Sequence, residues 1–103
     1  MNLNQFRSLI NSHRYILIDF YADWCEPCKY LAQILAELEK EADKKYHIEK
    51  IDVDQSEELK EMFSIRSVPT LHFYKDADLI WRYNGFMNGP ALHKHLSSLI
   101  NEK

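Results

Sequence analysis

Cys25 and Cys28 are the only cysteines in the chain, three positions apart within Trp24-Cys25-Glu26-Pro27-Cys28. A thiol–disulfide couple needs two sulfurs that can bond to each other, and one of them must be partly thiolate at working pH. Two intervening residues at the start of a helix meet both needs, because first-turn N–H groups stabilise negative charge. The flanking sequence puts the pair at such a start. Upstream is the apolar run Tyr15-Ile16-Leu17-Ile18-Asp19-Phe20-Tyr21, and downstream Leu31, Ile34, Leu35 and Leu38 recur at helical spacing. Cys25 then lies at the open end as the attacking sulfur, with Cys28 one turn in as the resolving sulfur. Pro27 fits the first turn, where a missing N–H costs little. Two other readings are a pair of core cysteines or half of a zinc site. Zinc needs further ligands, and the five histidines form no paired motif, so no metal is expected.

Asp19 is the second informative residue. It stands inside an apolar strand, six positions before Cys25. Burying a carboxylate there costs free energy unless it is protonated or paired. A carboxyl behind the cysteines could accept the proton of Cys28 as that sulfur attacks a mixed disulfide. The alternative is a carboxylate that caps a nearby loop.

The elements that must hold these residues follow from periodicity. Leu3, Phe6, Leu9 and Ile10 share a face of a short helix ending near Asn11. Tyr15 to Tyr21 reads as a central strand covered on both faces. The next helix starts at or just after Cys25 and fades in the charged stretch Glu39 to Lys45, read as a solvated helix end. Tyr46 to Val53 is a second strand. Asp54 and Ser56 are candidate caps for a short helix through Phe63. Thr70 to Tyr74 and Leu79 to Tyr83 are strands joined by a hairpin loop, Lys75 to Asp78. Pro90 opens a last helix whose stripe is Leu92, Leu96, Leu99 and Ile100. The order is α-β-α-β-α-β-β-α, an α/β class, with the first two strands parallel and the last two antiparallel.

Bulk properties bound the rest. The 103 residues suit a single domain spanning 1–103, with a 46% hydrophobic fraction sufficient for a core. The net charge of -3 and the lack of a basic stripe argue against nucleic acid. No apolar stretch approaches the ~18 residues needed to span a membrane. Asn2, Asn4, Gln5 and Arg7 do not read as a signal peptide, so a reducing, cytoplasmic setting is expected.

The segment Ile18-Asp19-Phe20-Tyr21-Ala22-Asp23-Trp24-Cys25-Glu26-Pro27-Cys28-Lys29 resembles the active-site segment of the thioredoxin family. Ile65-Arg66-Ser67-Val68-Pro69-Thr70 resembles that family's cis-proline loop. The resemblance runs from about Asn2 to Ile100. It implies a thioredoxin fold, a central mixed sheet flanked by helices, and a dithiol enzyme that reduces protein disulfides. Asp19 matches the family's buried aspartate, and Lys50 the lysine near it. Trp24 matches the tryptophan beside the nucleophile, which shapes the docking surface with Pro27. Pro69 matches the cis-proline. A cis bond there would expose the Val68 backbone to an extended substrate. Gly85 matches a glycine of a third substrate loop, where backbones approach closely. Taken alone, Pro69 also reads as a strand-start proline and Gly85 as an ordinary turn. The resemblance implies no bound cofactor, with electrons drawn from NADPH through a thioredoxin reductase, and a monomer acting on disulfide-containing proteins. Rival readings are a thioredoxin-fold binding or scaffold subunit with an incidental dithiol, or a disulfide oxidase or isomerase domain.

The chain also departs from the family pattern. Glu26 replaces the usual glycine between the cysteines. A carboxylate ~7 Å from Cys25, in an effective dielectric of ~40, disfavours the thiolate by roughly 1 kcal/mol. That predicts a redox-tuning role, towards a stronger reductant. Tyr21 replaces a tryptophan, and Ser64 and Ser67 stand where glycines are common. The family's additional N-terminal strand is missing before Asn2-Leu3-Asn4-Gln5-Phe6, so a four-stranded sheet is expected.

Overall fold

The computed structural model describes residues 1–41 and 45–100. Ala42, Asp43 and Lys44 of the charged stretch after the second helix lie outside them. The elements are α1 (Leu3–Asn11), β1 (Tyr15–Tyr21), α2 (Glu26–Glu39), β2 (His47–Asp52), α3 (Glu57–Met62), β3 (Thr70–Lys75), β4 (Asp78–Asn84) and α4 (Gly89–Ile100), with a 3-10 turn at Val53–Gln55. Their order is the one expected from the periodicity.

The sheet has four strands in the order β2-β1-β3-β4. β1 pairs with β2 in parallel and with β3 antiparallel, and β3 pairs antiparallel with β4. β1 is therefore central, which explains its unbroken burial from Tyr15 to Phe20. Its alternate residues feed two cores. Ile16, Ile18 and Phe20 pack with Phe6 of α1 and Leu59 of α3 on one side. Leu17 packs with Leu31, Leu35 and Leu38 of α2 and Leu92 and Leu96 of α4 on the other.

Local chemistry sets the boundaries. Asn2 and Gln5 form a reciprocal capping box on α1, at 2.8 and 2.9 Å. The β3–β4 loop is tighter than expected, only Asp76 and Ala77, with φ of 50° and 70°. Positive φ at both residues matches the twist of the flanking strands. Beyond the turn the register skips Ile80, a β-bulge opposite Phe73 and Tyr74.

The expected caps before α3 are corrected. Asp52, not Asp54, caps the 3-10 turn, its Oδ1 accepting the Asp54 N–H at 2.9 Å. Ser56 occupies the N-cap position of α3, but its side chain caps no backbone N–H there. The Asp54 carboxylate is engaged elsewhere, at the candidate site. Among the described residues no helix is long and apolar enough to cross a membrane.

Candidate active site

The site forms where β1 runs into α2. Cys25 is the N-cap of α2, with extended backbone, and its Sγ accepts the Cys28 N–H at 3.2 Å. Glu26 and Pro27 fill the first turn, so the proline costs no intrahelical hydrogen bond. Cys25 and Cys28 are joined as a disulfide with Cα atoms 5.3 Å apart. Exposure does not distinguish the two sulfurs, since Cys25 is 4% and Cys28 3% exposed. Position does. Only Cys25 lies at the helix N-terminus with a backbone N–H aimed at its sulfur, an arrangement that favours negative charge there once the bond is reduced.

A second loop closes over the first. Cys25 Sγ lies 3.6 Å from the Val68 carbonyl oxygen, and the Val68–Pro69 peptide bond is cis. The Pro69 carbonyl accepts the Gly85 N–H at 2.9 Å, which ties a third loop to the second. Gly85 has φ of 118°, and nothing would meet a Cβ built on it. Glycine is therefore required there by backbone conformation, and the space in front of it is open. Trp24 is 71% exposed beside Cys25, yet its indole N–H donates to the Asp54 carboxylate at 2.9 Å. The sequence reading missed Asp54 in this setting because it lies thirty residues from Trp24 and resembles a local cap.

Asp19 is fully buried, and neither carboxyl oxygen has a hydrogen-bond partner. It shares its face of β1 with Leu17, the side covered by α2. Burial pushes its pKa up to about 7, while the Lys50 ammonium pulls in the opposite direction. Lys50 is Asp19's neighbour in the β1–β2 register, and Leu71 is its neighbour on β3. Lys50 forms no ion pair with Asp19; its Nζ lies 4.6 Å from the centre of the Tyr21 ring. Glu26 points to solvent and pairs with Lys29 at 2.9 Å, which offsets part of its field on Cys25. Among the described residues no group of three or more His, Cys, Asp or Glu side chains is placed to hold a metal ion.

The arrangement can run dithiol chemistry: a sulfur at a helix terminus, a second within bonding range, and a buried acid titrating near neutrality. Comparison with known proteins agrees. The family model described as thioredoxin matches residues 1–98. The thioredoxin of Bacillus subtilis strain 168 is 39% identical over 97 residues, covering 90% of this chain and 93% of that protein. The thioredoxin of Buchnera aphidicola from Acyrthosiphon pisum is 34% identical over 93 residues, covering 90% and 86%. Among solved structures, a mutant thioredoxin from Halobacterium salinarum superposes with a TM-score of 0.87 at 28% identity, covering 97% of this chain and 87% of its own. Oxidised mitochondrial thioredoxin 3 of Saccharomyces cerevisiae gives 0.83 at 36% identity, covering 94% and 90%. A dithiol at the head of α2, set in the thioredoxin fold, places this chain in the thioredoxin family of thiol–disulfide oxidoreductases.

Proposed function

We propose that the chain reduces protein disulfides with Cys25 as nucleophile and Cys28 as resolving thiol. The Cys25 thiolate attacks one sulfur of the substrate disulfide, forms a Cys25–substrate bond and releases the first substrate thiolate. Cys28 loses its proton to Asp19 and attacks Cys25 Sγ. The second substrate thiolate leaves, and the Cys25–Cys28 disulfide remains. Two electrons have then passed from the dithiol to the substrate. One observation carries the assignment: the Cys25 sulfur is the α2 N-cap and receives the Cys28 N–H at 3.2 Å.

The other residues take supporting roles in this reading. Trp24, Pro27, Val68, Pro69 and Gly85 border the surface where an extended substrate segment docks. Lys50 biases Asp19, and Glu26 tunes the redox poise. Electrons return from NADPH through a thioredoxin reductase, and the chain works as a monomeric single domain in the cytoplasm. Trapping tests the roles. Cys28→Ser is expected to accumulate a covalent adduct with a model protein disulfide, and Cys25→Ser to accumulate little. Equal trapping by the two variants overturns the assignment.

A further inference from the structure

We propose that the Tyr21 ring holds the Lys50 ammonium beside Asp19, which makes Tyr21 a positioning residue for the proton step of the dithiol. The inference rests on the reading of Asp19 as the group that receives the Cys28 proton. Its basis is the register of two strands. β1 and β2 pair Asp19 with Lys50 and Tyr21 with Asp52. Tyr21 follows Asp19 by two positions, so both lie on the same face of β1. Lys50 Nζ sits over the Tyr21 ring, 4.6 Å from its centre, well inside the range of a cation–π contact.

Among the described residues Lys50 has no other anchor. Its side chain is exposed, its stem is flexible, and among the described residues it is in no close ion pair. Asp19, for its part, has no hydrogen bond to stabilise its charge. The through-space pull of Lys50 is the opposing influence on this buried acid. Competing anions surround the lysine. Glu39 of α2 and Glu49 of β2, the latter paired with His47 at 2.9 Å, line the same groove as Lys50; Asp52 is Tyr21's neighbour in the register, and the charges of Asp23 and Asp52 act on the Tyr21 hydroxyl. Cys28 lies in the first turn of α2, and Leu71, across from Asp19 on β3, is apolar. Without the ring, the ammonium relaxes towards those carboxylates or water, and its field at Asp19 weakens. Asp19 then keeps its proton to higher pH and accepts another less readily near neutrality.

The test uses the oxidised full chain, in which the sulfurs do not titrate. Tyr21→Leu is expected to raise the Asp19 midpoint, read by carboxyl-carbon NMR, by about half a pH unit. Tyr21→Phe keeps the ring and leaves the midpoint in place. Lys50→Met, a change at an exposed side chain, raises it at least as far, and Tyr21→Leu added to Lys50→Met moves it no further. An unmoved midpoint in Tyr21→Leu or in Lys50→Met overturns the inference, as does a full further shift in the double variant. The pH profile of protein-disulfide reduction separates the two claims. A raised midpoint with a matching upward shift of the profile supports both. A raised midpoint with an unmoved profile supports the hold on Lys50 and sinks the proton role of Asp19.

Discussion

Ser64 carries the most quantitative expectation. It follows the C-cap residue of α3, Phe63, and has φ of 52°. The Ile65 N–H reaches the Lys60 carbonyl at 2.9 Å and the Ser64 N–H reaches the Glu61 carbonyl at 3.1 Å, the paired bonds of a Schellman ending. Glycine normally fills that left-handed position. A side chain there costs about 1–2 kcal/mol. Glycine's greater freedom in the unfolded chain returns about 0.5–1 kcal/mol of that. Ser64→Gly should therefore stabilise the protein by about 0.5–1 kcal/mol. The exposed Ser64 side chain has no bond to lose, and Arg82 still donates to the Phe63 carbonyl at 2.8 Å. At about 2 cal/mol/K per residue, the melting entropy of 103 residues is ~0.2 kcal/mol/K, so Tm should rise about 2–5 °C. Calorimetry on the oxidised protein reads this directly. Ser67→Gly is the control, since Ser67 is not among the positive-φ residues and only the entropy loss applies. Its Tm should fall about 2–5 °C. If Ser64→Gly does not raise Tm, or if Ser67→Gly raises it equally, the backbone argument is wrong.

Three further expectations concern charge. Asp19 has a folded pKa of about 7, above its unfolded value, so folding binds a proton and stability declines as pH rises from about 4 through 7. Asp19→Asn should be more stable than the parent by about 3–5 kcal/mol in urea at pH 8, and near parity at pH 4; equal gains at both would refute burial of the charge as the cause. His72 behaves in the opposite sense. It is fully buried among Phe20, Phe63 and Tyr74, and burial holds its pKa down at about 4. The unfolded chain takes that proton first, so stability present above pH 6.5 is lost as pH falls towards 4. His72→Leu should remove about 2–3 kcal/mol of the loss between pH 7 and 4.5, and an unchanged acid limb in urea titrations would assign it to other groups. Glu26→Gly should lower the Cys25 pKa by less than one unit, because Lys29 already offsets the carboxylate; a thiol titration moving upward contradicts this.

Much of the site was legible because its parts are local. The run into Cys25, the proline in the first turn and the leucine stripe behind them all lie within one strand–helix junction. The hairpin was legible too, although its two-residue turn was drawn too wide. What escaped depends on distant partners. Asp54 looked like a cap because aspartate before a helix usually is one, whereas its use by Trp24 depends on the parallel pairing that brings the ends of β1 and β2 together. His72 sits in a run of β-favouring residues, and only the pairing of β3 with β1 and the approach of Phe63, which follows α3, show that aromatic rings enclose it. Lys50 resembled a simple counter-charge to Asp19. That its head rests over Tyr21 follows from strand register, which periodicity does not supply.

β4 forms one border of the sheet, where backbone donors and acceptors face outward and invite pairing with another chain. Its first half also exposes Leu79 and Ile80, at 45% and 40%. A flat, apolar border would be a template for aggregation. The extra residue at Ile80 breaks the regular pairing rhythm there and twists the strand, so an incoming strand cannot stay in register along its length. Deleting Ile80 is therefore expected to restore a continuous pairing edge along β4, read as increased aggregation of the variant on heating.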